Sequence, residues 1–414
     1  MNIISLAVPA FLILILIEIV LGYVRGRRYY RLNDSIADLS TGLIFSIVGV
    51  GVVLAAIVVY DDIRQSVSIQ RLFGVPEIPT DNVFVWVALL VTVDFIYYWF
   101  HRATHEIRFF WAFHVTHHSS EEFNLTVALR QCAFQRMLEY PFYFPLALLG
   151  VPWPMFFLCH GILKIYQFWV HTRHIGKLGV LESFMLTPSH HRVHHARDPQ
   201  YIDRNHGGIF IIWDRMFGTY AEEIEEPNYG LTTNLASFNP LRANLHVLAE
   251  LWRDVRQTRR LRDKLRVLYR APGWRPDDLG GPRAAAEVPV DYQKYNPVLS
   301  KSEQMYVLIQ FLLTLGVAFG FLQAARAGLS VWLAVPWSIF AVYALTSIGI
   351  VLDRRTIAVW TESVRHALML LALPIIHVSG HLTDIALLLL LMPILLSWLW
   401  LLRLPIAGLH TSGS

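Results

Sequence analysis

Cysteine is nearly absent from this 414-residue chain, which contains only Cys132 and Cys159. The two form no CxxC pair, so we predict no disulfide framework, zinc knuckle or iron–sulfur cluster and expect both to be packing residues. Charge is scarce as well, because only 16% of the residues are Asp, Glu, Lys or Arg, whereas proteins average about 25%. This scarcity excludes an ordinary soluble domain.

Signatures of several enzyme classes are missing. The chain has no GxGxxG motif, so a Rossmann-type nicotinamide or flavin site is not predicted. An HExxH zinc-protease motif begins at His105-Glu106, but Phe109 occupies the position of its second histidine. The net charge of +4 does not indicate nucleic acid, because the basic excess lies beside apolar runs and in residues 253–270. Anionic lipid headgroups are the expected partner of these basic residues.

Apolar residues, by contrast, are abundant. They make up 55% of the chain, and the mean hydropathy is +0.43. Six runs approach or exceed the length of a bilayer span, namely residues 3–23, 39–60, 84–100, 306–322, 331–351 and 385–402. Residues 140–170 are also apolar but are broken by prolines, which suggests a re-entrant hairpin, and residues 366–378 form a shorter stretch. We therefore predict an all-α, polytopic membrane protein with a histidine-rich cytoplasmic cap.

The charges beside the runs predict the topology. The first run lacks a basic leader and a cleavage site, so it is expected to be a retained anchor. The basic residues at 25–28 then place that flank in the cytoplasm by the positive-inside rule. Alternation of the following spans makes residues 172–303 cytoplasmic, and Arg354-Arg355 agrees with the same assignment.

Four parts are predicted along the chain. Residues 1–83 form transmembrane anchor helices, 84–235 a histidine-box catalytic core, 236–304 a cytoplasmic basic segment and linker, and 305–414 a C-terminal transmembrane helical bundle. Pro and Gly punctuate the linker. Before them, residues 251–270 combine apolar residues with arginines, which predicts an amphipathic helix on the inner membrane surface.

Histidine is the most unevenly distributed residue, since 13 of the 18 histidines fall between His101 and His206. Most of them belong to one HxxxH and two HxxHH clusters, and His171 lies between the two HxxHH clusters. Spacings of three and four residues place rings on a common helical face. The predicted metal ligands are His101, His105, His114, His117, His118, His171, His191, His194 and His195.

These ligands exceed the needs of one ion. Neutral imidazole binds zinc, copper, iron and nickel, and a tetrahedral zinc takes about four ligands. The excess favours two metal ions, and the lack of a dense carboxylate set argues against a ferritin-like site. A single cluster could consist of interfacial histidines at a helix end, but three clusters on one predicted membrane face indicate a metal centre.

Other histidines lack a complete cluster of their own. His160, His174 and His206 are expected to be scaffold, because a lone histidine is more often hydrogen-bonded than metal-bound. The sequence leaves open whether His174 or His190 also binds metal.

Three polar residues are candidates for orienting ligands or handling protons. Asp94 lies seven residues before His101 on the same helical face, and a buried carboxylate in an apolar span needs a partner. Alternatively, Asp94 pairs with a nearby arginine. Glu106 directly follows a predicted ligand, although a surface ion pair with Arg102 is an equal alternative. Asn124 is the third candidate.

The order of the three clusters resembles that of the fatty acid hydroxylase and sterol desaturase superfamily. Within it, residues 84–221 most resemble the alkylglycerol monooxygenase family, while the remaining spans are similar only in layout. The motifs that carry this resemblance are His117-His118-Ser119-Ser120-Glu121, Asn124-Leu125-Thr126, Ala128-Leu129-Arg130-Gln131, Gln167-Phe168-Trp169-Val170-His171-Thr172, Thr187-Pro188-Ser189-His190-His191-Arg192-Val193-His194-His195, Ile212-Trp213-Asp214-Arg215 and Phe217-Gly218-Thr219.

The resemblance implies a non-haem di-iron centre at the cytoplasmic membrane surface that uses dioxygen to oxidise an ether lipid beside its ether oxygen. It also implies an external reductant, for which tetrahydrobiopterin is the family precedent. Hydroxylation or desaturation of a sterol or an acyl chain is the alternative within the superfamily. A metal transporter or sensor is the alternative outside it, but transporters place ligands near the bilayer midplane in repeated halves, and no repeat is present here.

Overall fold

The computed structural model describes residues 3–285, 287–289, 291–378 and 383–406. These residues form α-helices, short 3-10 turns and two isolated β-bridges, and no β-strand occurs among them. The prediction of an all-α chain is confirmed. The chain divides into two compact units, of which unit 1 is Met1–Leu235 with Asn244–Gln293 and unit 2 is Ala236–Ala243 with Lys294–Ser414.

The helices of the described chain vary widely in length. In order they are α1 Ile3–Val24, α2 Leu32–Val67, α3 Ile69–Phe73, α4 Val83–Glu106, α5 Arg108–Trp111, α6 Val115–His118, α7 Gln135–Glu139, α8 Phe144–Leu148, α9 Trp153–Trp169, α10 Pro188–His194, α11 Ile212–Phe217, α12 Pro240–Gln257, α13 Leu261–Tyr269, α14 Lys301–Arg326, α15 Val331–Leu352, α16 Ala358–Val378 and α17 Asp384–Leu401.

Among the described residues, five helical segments are long and apolar enough to cross a membrane, namely Ala7–Val24, Leu32–Phe73, Val83–Glu106, Lys301–Ala325 and Val331–Leu352. They agree with the first five predicted spans. The sixth falls on α17, which has 18 residues and reaches about 27 Å at 1.5 Å per residue, slightly under the roughly 30 Å hydrocarbon core. The division into four parts stays a prediction.

The proline-rich stretch at 140–170 is broken as expected, and the re-entrant hairpin stays a prediction. A 3-10 turn at Tyr140–Tyr143 and the short α8 precede α9. The break is at Gly150, where φ is 79° and an added Cβ would lie 1.7 Å from the Gln70 side chain. The backbone angle favours glycine there, whereas the end of the flexible Gln70 side chain can move aside.

The histidine-bearing end of unit 1 lies above an apolar core. In this core α4 packs against α9, α9 also packs against α1, and α2 packs against α8. Val93, Phe100, Phe156 and Leu163 are almost completely buried in it. His101 and His105 lie in the last turns of α4. The packing of α4 on α9 therefore fixes the position of these two histidines relative to the end of α9.

The predicted amphipathic helix at 251–270 is two helices rather than one, which corrects the sequence prediction. The chain leaves helical geometry after Gln257, where the buried Thr258 donates to the Asp254 carbonyl and the Arg259 amide donates to Asp278 Oδ2. These local bonds compete with continuation of the helix. Both pieces keep an amphipathic character.

One ion pair binds these helices to the core, and a second joins α12 to the residues that follow α13. Arg108 Nη2 donates to Asp254 Oδ2 at 2.6 Å, and Arg275 Nη2 donates to Asp254 Oδ1 at 2.9 Å. The Arg108 amide also donates to the Arg270 carbonyl. The basic segment is therefore held against the residues that join the first two histidine clusters.

Unit 2 contains a buried polar network among α14, α15 and α16. Glu362 and Arg365 form an ion pair at 2.6 Å, and both side chains are essentially inaccessible to solvent. Tyr306 and Ser347 donate to the Glu362 carboxylate, while Arg365 donates to Gln310. A buried pair is tolerated only when such additional bonds satisfy it, so this network ties three apolar helices in one arrangement.

Candidate metal centre

All nine predicted ligands meet in two buried groups. In each group the candidate ligand atoms lie within 4.8 Å of one another. The first group is His101, His105, His114, His118 and His194, and the second is His117, His171, His191 and His195. The structure thus brings every predicted ligand to one place.

Each HxxHH cluster is divided between the two groups, which differs from the single face that the spacing suggested. His114 and His118 serve the first group, whereas His117 serves the second. In the other cluster the assignment is reversed, because His191 and His195 serve the second group and His194 serves the first. Residues four apart differ by about 40° around a helix and consecutive residues by about 100°, so neighbours in a cluster point to different centres.

Backbone carbonyls hold the Nδ1 atoms of four ligands. His101 Nδ1 is 2.9 Å from the His206 carbonyl, and His117 Nδ1 is 2.8 Å from that of Arg130. The same contact joins His171 to Gln167 and His194 to Arg204, at 2.8 and 2.9 Å. A carbonyl can only accept, so Nδ1 carries the proton and Nε2 presents a lone pair.

The Nε2 atoms converge at distances that suit binding of a shared metal cation. His101 Nε2 lies 3.2 Å from His114 Nε2, and His171 Nε2 lies 3.3 Å from His117 Nε2. With Nδ1 protonated in His101, His117 and His171, these Nε2 atoms face their neighbours with lone pairs. The buried Nε2 atoms of His105, His194 and His195 have no partner among the described residues. Such an arrangement is stabilised when a metal ion accepts the lone pairs, so the residues fit the metal centre that the sequence predicts.

Burial keeps these imidazoles neutral and ready to bind. It lowers the pKa of His194 to about 4 and that of His171 to about 3. Burial, reinforced by neighbouring histidines, also holds the pKa values of His114, His117 and His195 well below the ordinary value. A metal ligand must be unprotonated, so no proton has to be displaced at neutral pH.

Aromatic rings cover both groups. Phe123 lies 5.2 Å from the His195 ring and stacks on Tyr229 at 4.9 Å. On the other side, Trp111 lies 5.3 Å from the His105 ring. These rings exclude bulk water, which strengthens the electrostatic interactions inside the site.

The three polar residues predicted to orient ligands or handle protons, Asp94, Glu106 and Asn124, make their hydrogen bonds outside the two histidine groups. Asp94 accepts from the Ile209 amide at 2.5 Å and from Trp213 Nε1 at 2.8 Å. Glu106 is paired with Arg102 at 2.8 Å, and its side chain is 43% exposed, as in the surface alternative. The roles of Asp94 and Glu106 in catalysis stay predictions.

Asn124 links two elements of the scaffold. Its Nδ2 donates to the Tyr29 carbonyl at 2.7 Å, and its Oδ1 accepts from the Thr126 amide at 2.9 Å. Its catalytic role likewise stays a prediction.

A buried ion pair that sequence reasoning missed supports His117. Arg130 Nη1 donates to Asp38 at 3.0 Å, and Arg130 Nε donates to the Thr116 carbonyl at 2.8 Å. The carbonyl of the same arginine accepts from His117 Nδ1. Arg130 stands in one of the recognised motifs, but its partner lies 92 residues earlier in the chain.

The unclustered histidines differ from one another. His160 Nε2 donates to Glu139 Oε1 at 2.9 Å, as a scaffold histidine would. His190 lies in the capping box of α10, where its Nδ1 accepts from the Thr187 amide. His174 lies beside the Tyr29 ring at 4.9 Å. His206 is adjacent to the first group, with ring centroids 5.1 Å from His105 and 5.7 Å from His194.

Comparison with known proteins agrees with this arrangement. Residues 86–219 match the family model described as fatty acid hydroxylase, and residues 303–392 match the alkylglycerol monooxygenase C-terminal domain. The chain is 36% identical to the alkylglycerol monooxygenases of Danio rerio and Homo sapiens, over 92% of this chain and 83% of each relative.

More distant similarity reaches other lipid hydroxylases. The chain is 30% identical to an ornithine lipid hydroxylase of Rhizobium tropici over 32% of this chain and 40% of that protein. No solved structure matches the chain. The histidine pattern, the two matched domains and the near full-length similarity together show that this chain belongs to the alkylglycerol monooxygenase family.

Proposed function

We propose that this protein is a membrane di-iron monooxygenase that hydroxylates an alkylglycerol-type ether lipid. The observation that carries the proposal is the pair of histidine groups, whose nitrogens converge within 4.8 Å inside the fatty acid hydroxylase region. The names and near full-length similarity of the relatives support an ether lipid as substrate.

The ligand chemistry supports iron and a count of two. Imidazole is a good ligand for iron, and the split of each HxxHH cluster provides five nitrogens in one place and four in the other. When bound, the iron ions would supply the dioxygen activation that side chains lack. The chain itself holds the ligands neutral, orients them through backbone carbonyls and excludes water.

The proposed reaction inserts one oxygen atom of dioxygen into the C–H bond next to the ether oxygen. Two electrons and two protons reduce the second oxygen atom to water. The product is a hemiacetal, whose C–O bond breaks to leave a fatty aldehyde and a free glycerol hydroxyl. An external reductant must supply the electrons, because the sequence lacks a Rossmann-type cofactor motif, and tetrahydrobiopterin is our proposed donor.

Purified protein loaded with ferrous iron provides the test. We expect about two irons per chain and conversion of an alkylglycerol to aldehyde that requires both dioxygen and reductant. Oxidation of a sterol or an acyl lipid, with the alkylglycerol untouched, would contradict the ether-lipid proposal alone. Zinc in freshly prepared protein, together with inactivity after iron loading, would contradict the di-iron proposal. Metal flux through proteoliposomes without oxidation of any lipid would favour a transporter.

We also propose that the metal centre faces the cytoplasm and that α12 and α13 contact anionic headgroups there. Apolar side chains project from these helices into solvent, with Trp252 64% and Leu261 74% exposed. Arginines at 253, 256, 259, 260 and 262 surround them. Exposed apolar residues among cations are typical of a surface that lies at the headgroup level of a membrane.

Cysteine labelling tests both statements, because Cys132 and Cys159 are buried. Exposed Arg262→Cys should react with an impermeant maleimide only after cells are permeabilised, whereas the control Thr80→Cys, between the second and third spans, should react in intact cells. Reaction of Arg262→Cys in intact cells would reverse the topology. In proteoliposomes, phosphatidylglycerol should slow labelling at position 262 relative to a zwitterionic lipid, and equal rates would contradict headgroup contact.

A further inference from the structure

We infer that His206 is a tenth nitrogen ligand of the metal centre, supplied to the first histidine group by the loop that follows α10. This inference rests on the proposed function, since it assumes that the two groups bind metal ions. It concerns a residue that lies outside the recognised clusters and that its sequence context predicts to be scaffold.

The first observation is the burial of an unsatisfied imidazole. His206 has no solvent-exposed surface, and neither its Nδ1 nor its Nε2 makes a hydrogen bond of normal geometry among the described residues, the Asp203 backbone being its one weak contact. A neutral imidazole has one donor and one acceptor, and leaving a buried polar group unpaired costs about 1–3 kcal/mol. A scaffold histidine such as His160 avoids this cost through Glu139 at 2.9 Å. The ring of His206 is therefore left without a well-formed hydrogen bond to the protein.

The second observation is the position of the ring. Its centroid lies 5.1, 5.7 and 5.8 Å from those of His105, His194 and His101. Members of the first group have similar spacing, since His101 lies 5.3 Å from His105. The ring of His206 thus borders three of the five ligands of that group.

Metal binding by His206 would require a rotation of its ring. The ligand atoms of the first group all lie within 4.8 Å of one another, and the nitrogens of His206 do not meet this limit. Because no hydrogen bond of normal geometry holds the ring, a side-chain rotation toward the group gives up only the weak contact with the Asp203 backbone. We therefore place His206 as the outermost and most weakly held ligand of the first ion.

The backbone that carries His206 is held firmly in place. The amides of His206 and Gly207 donate to the two carboxylate oxygens of Asp214, at 2.7 and 2.8 Å. The preceding Asn205 has φ of 56°, a left-handed conformation that asparagine tolerates better than most residues, and its side chain bonds Ala221 and the His190 carbonyl. These bonds fix the backbone on the N-terminal side of His206.

The same loop already contacts a ligand on its other side. The His206 carbonyl lies 2.9 Å from His101 Nδ1 and orients that ring. One residue would thus support the first group twice, through its carbonyl behind His101 and through its own imidazole. The consequence is an asymmetric centre, with six imidazoles around one ion and four around the other.

His206→Phe tests this inference, because phenylalanine preserves a ring of similar size and removes both nitrogens. We expect the variant loaded with cobalt(II) to keep two ions but to show altered ligand-field bands. Release of one of the two ions to EDTA should be at least about tenfold faster. His246→Ala, on α12 and outside both groups, is the control and should match the unsubstituted protein in both readouts.

Thermal unfolding separates a ligand from a scaffold residue. If His206 is a ligand, the metal-free His206→Phe protein should be at least as stable as the metal-free parent, and added cobalt should raise its Tm by less. A scaffold role would instead lower the Tm of the metal-free variant and leave the cobalt-induced rise unchanged, which would overturn the inference. Unchanged cobalt bands and release rates would also overturn it. If the parent protein bound no metal, the proposed function itself would fail.

Discussion

His117→Ala and His194→Ala are each expected to abolish lipid oxidation and to lose metal. The first removes a nitrogen from the second histidine group, and the other removes one from the first group. Each substitution also breaks a contact that fixes a loop, between His117 and the Arg130 carbonyl or between His194 and the Arg204 carbonyl. We expect activity to fall at least about 100-fold, since even loss of groups that only support a ligand costs about 10–100-fold.

Elemental analysis of the purified variants measures the metal loss. Because each variant impairs one group, bound metal should fall from about two ions per chain to about one or fewer. His246→Ala is the matched control, a histidine-to-alanine change on α12, and should keep both metal and activity. Full metal content in both cluster variants would refute the ligand assignment.

Asp38→Asn is expected to have the largest effect on stability. The Asp38 side chain is inaccessible to solvent, and that of Arg130 is 3% exposed. Removing one charge of a buried pair leaves the other uncompensated, which costs about 3–5 kcal/mol. Thr126 would also lose the charged acceptor to which its hydroxyl donates at 2.8 Å.

The same substitution should weaken metal binding at the second group. Arg130 positions His117 through its carbonyl, and its guanidinium secures the Thr116 carbonyl beside that ligand. Loosening this segment should lower the affinity for one of the two ions by about 10–100-fold. Denaturation in detergent and metal titration measure the two effects.

Asp61→Asn is the matched control for Asp38→Asn, because it lies on the same helix. Asp61 pairs with Arg64 at 3.1 Å, and the two side chains are 27% and 25% exposed. Pairs so accessible to solvent contribute under about 1 kcal/mol. Equal losses of stability in the two variants would show that the buried pair has no special role.

Local patterns could predict the helices and the ligands because both depend on neighbours in the chain. Apolar runs of bilayer length can only be helices where lipid surrounds them, since helices satisfy their own backbone groups. Histidines at three- and four-residue spacing can be recognised as candidate ligands from their positions in the chain alone. Where a local bond competed with this pattern, as at Thr258, the predicted single helix was wrong.

The partition of the ligands illustrates what spacing alone leaves undecided. In α6 and α10, adjacent histidines point about 100° apart. Only the packing of α4, α9 and α10 brings further histidines to each of these two directions, so that two groups form. The same packing brings His171, at the end of α9, to within 2.9 Å of His191. Sequence order contains no information on that distance.

The sequence by itself therefore determined the class of the chain, the prediction of nine histidine ligands and the expectation of two ions, because composition and short-range spacing are sufficient for each. Only the tertiary structure decided which ligands share a group, why Asp94 holds the Ile209 amide, and how Asp38 supports His117 through Arg130. It also decided the place of His206 beside the first group. The physical reason is that these contacts join residues far apart in the chain, and packing rather than local propensity selects such partners.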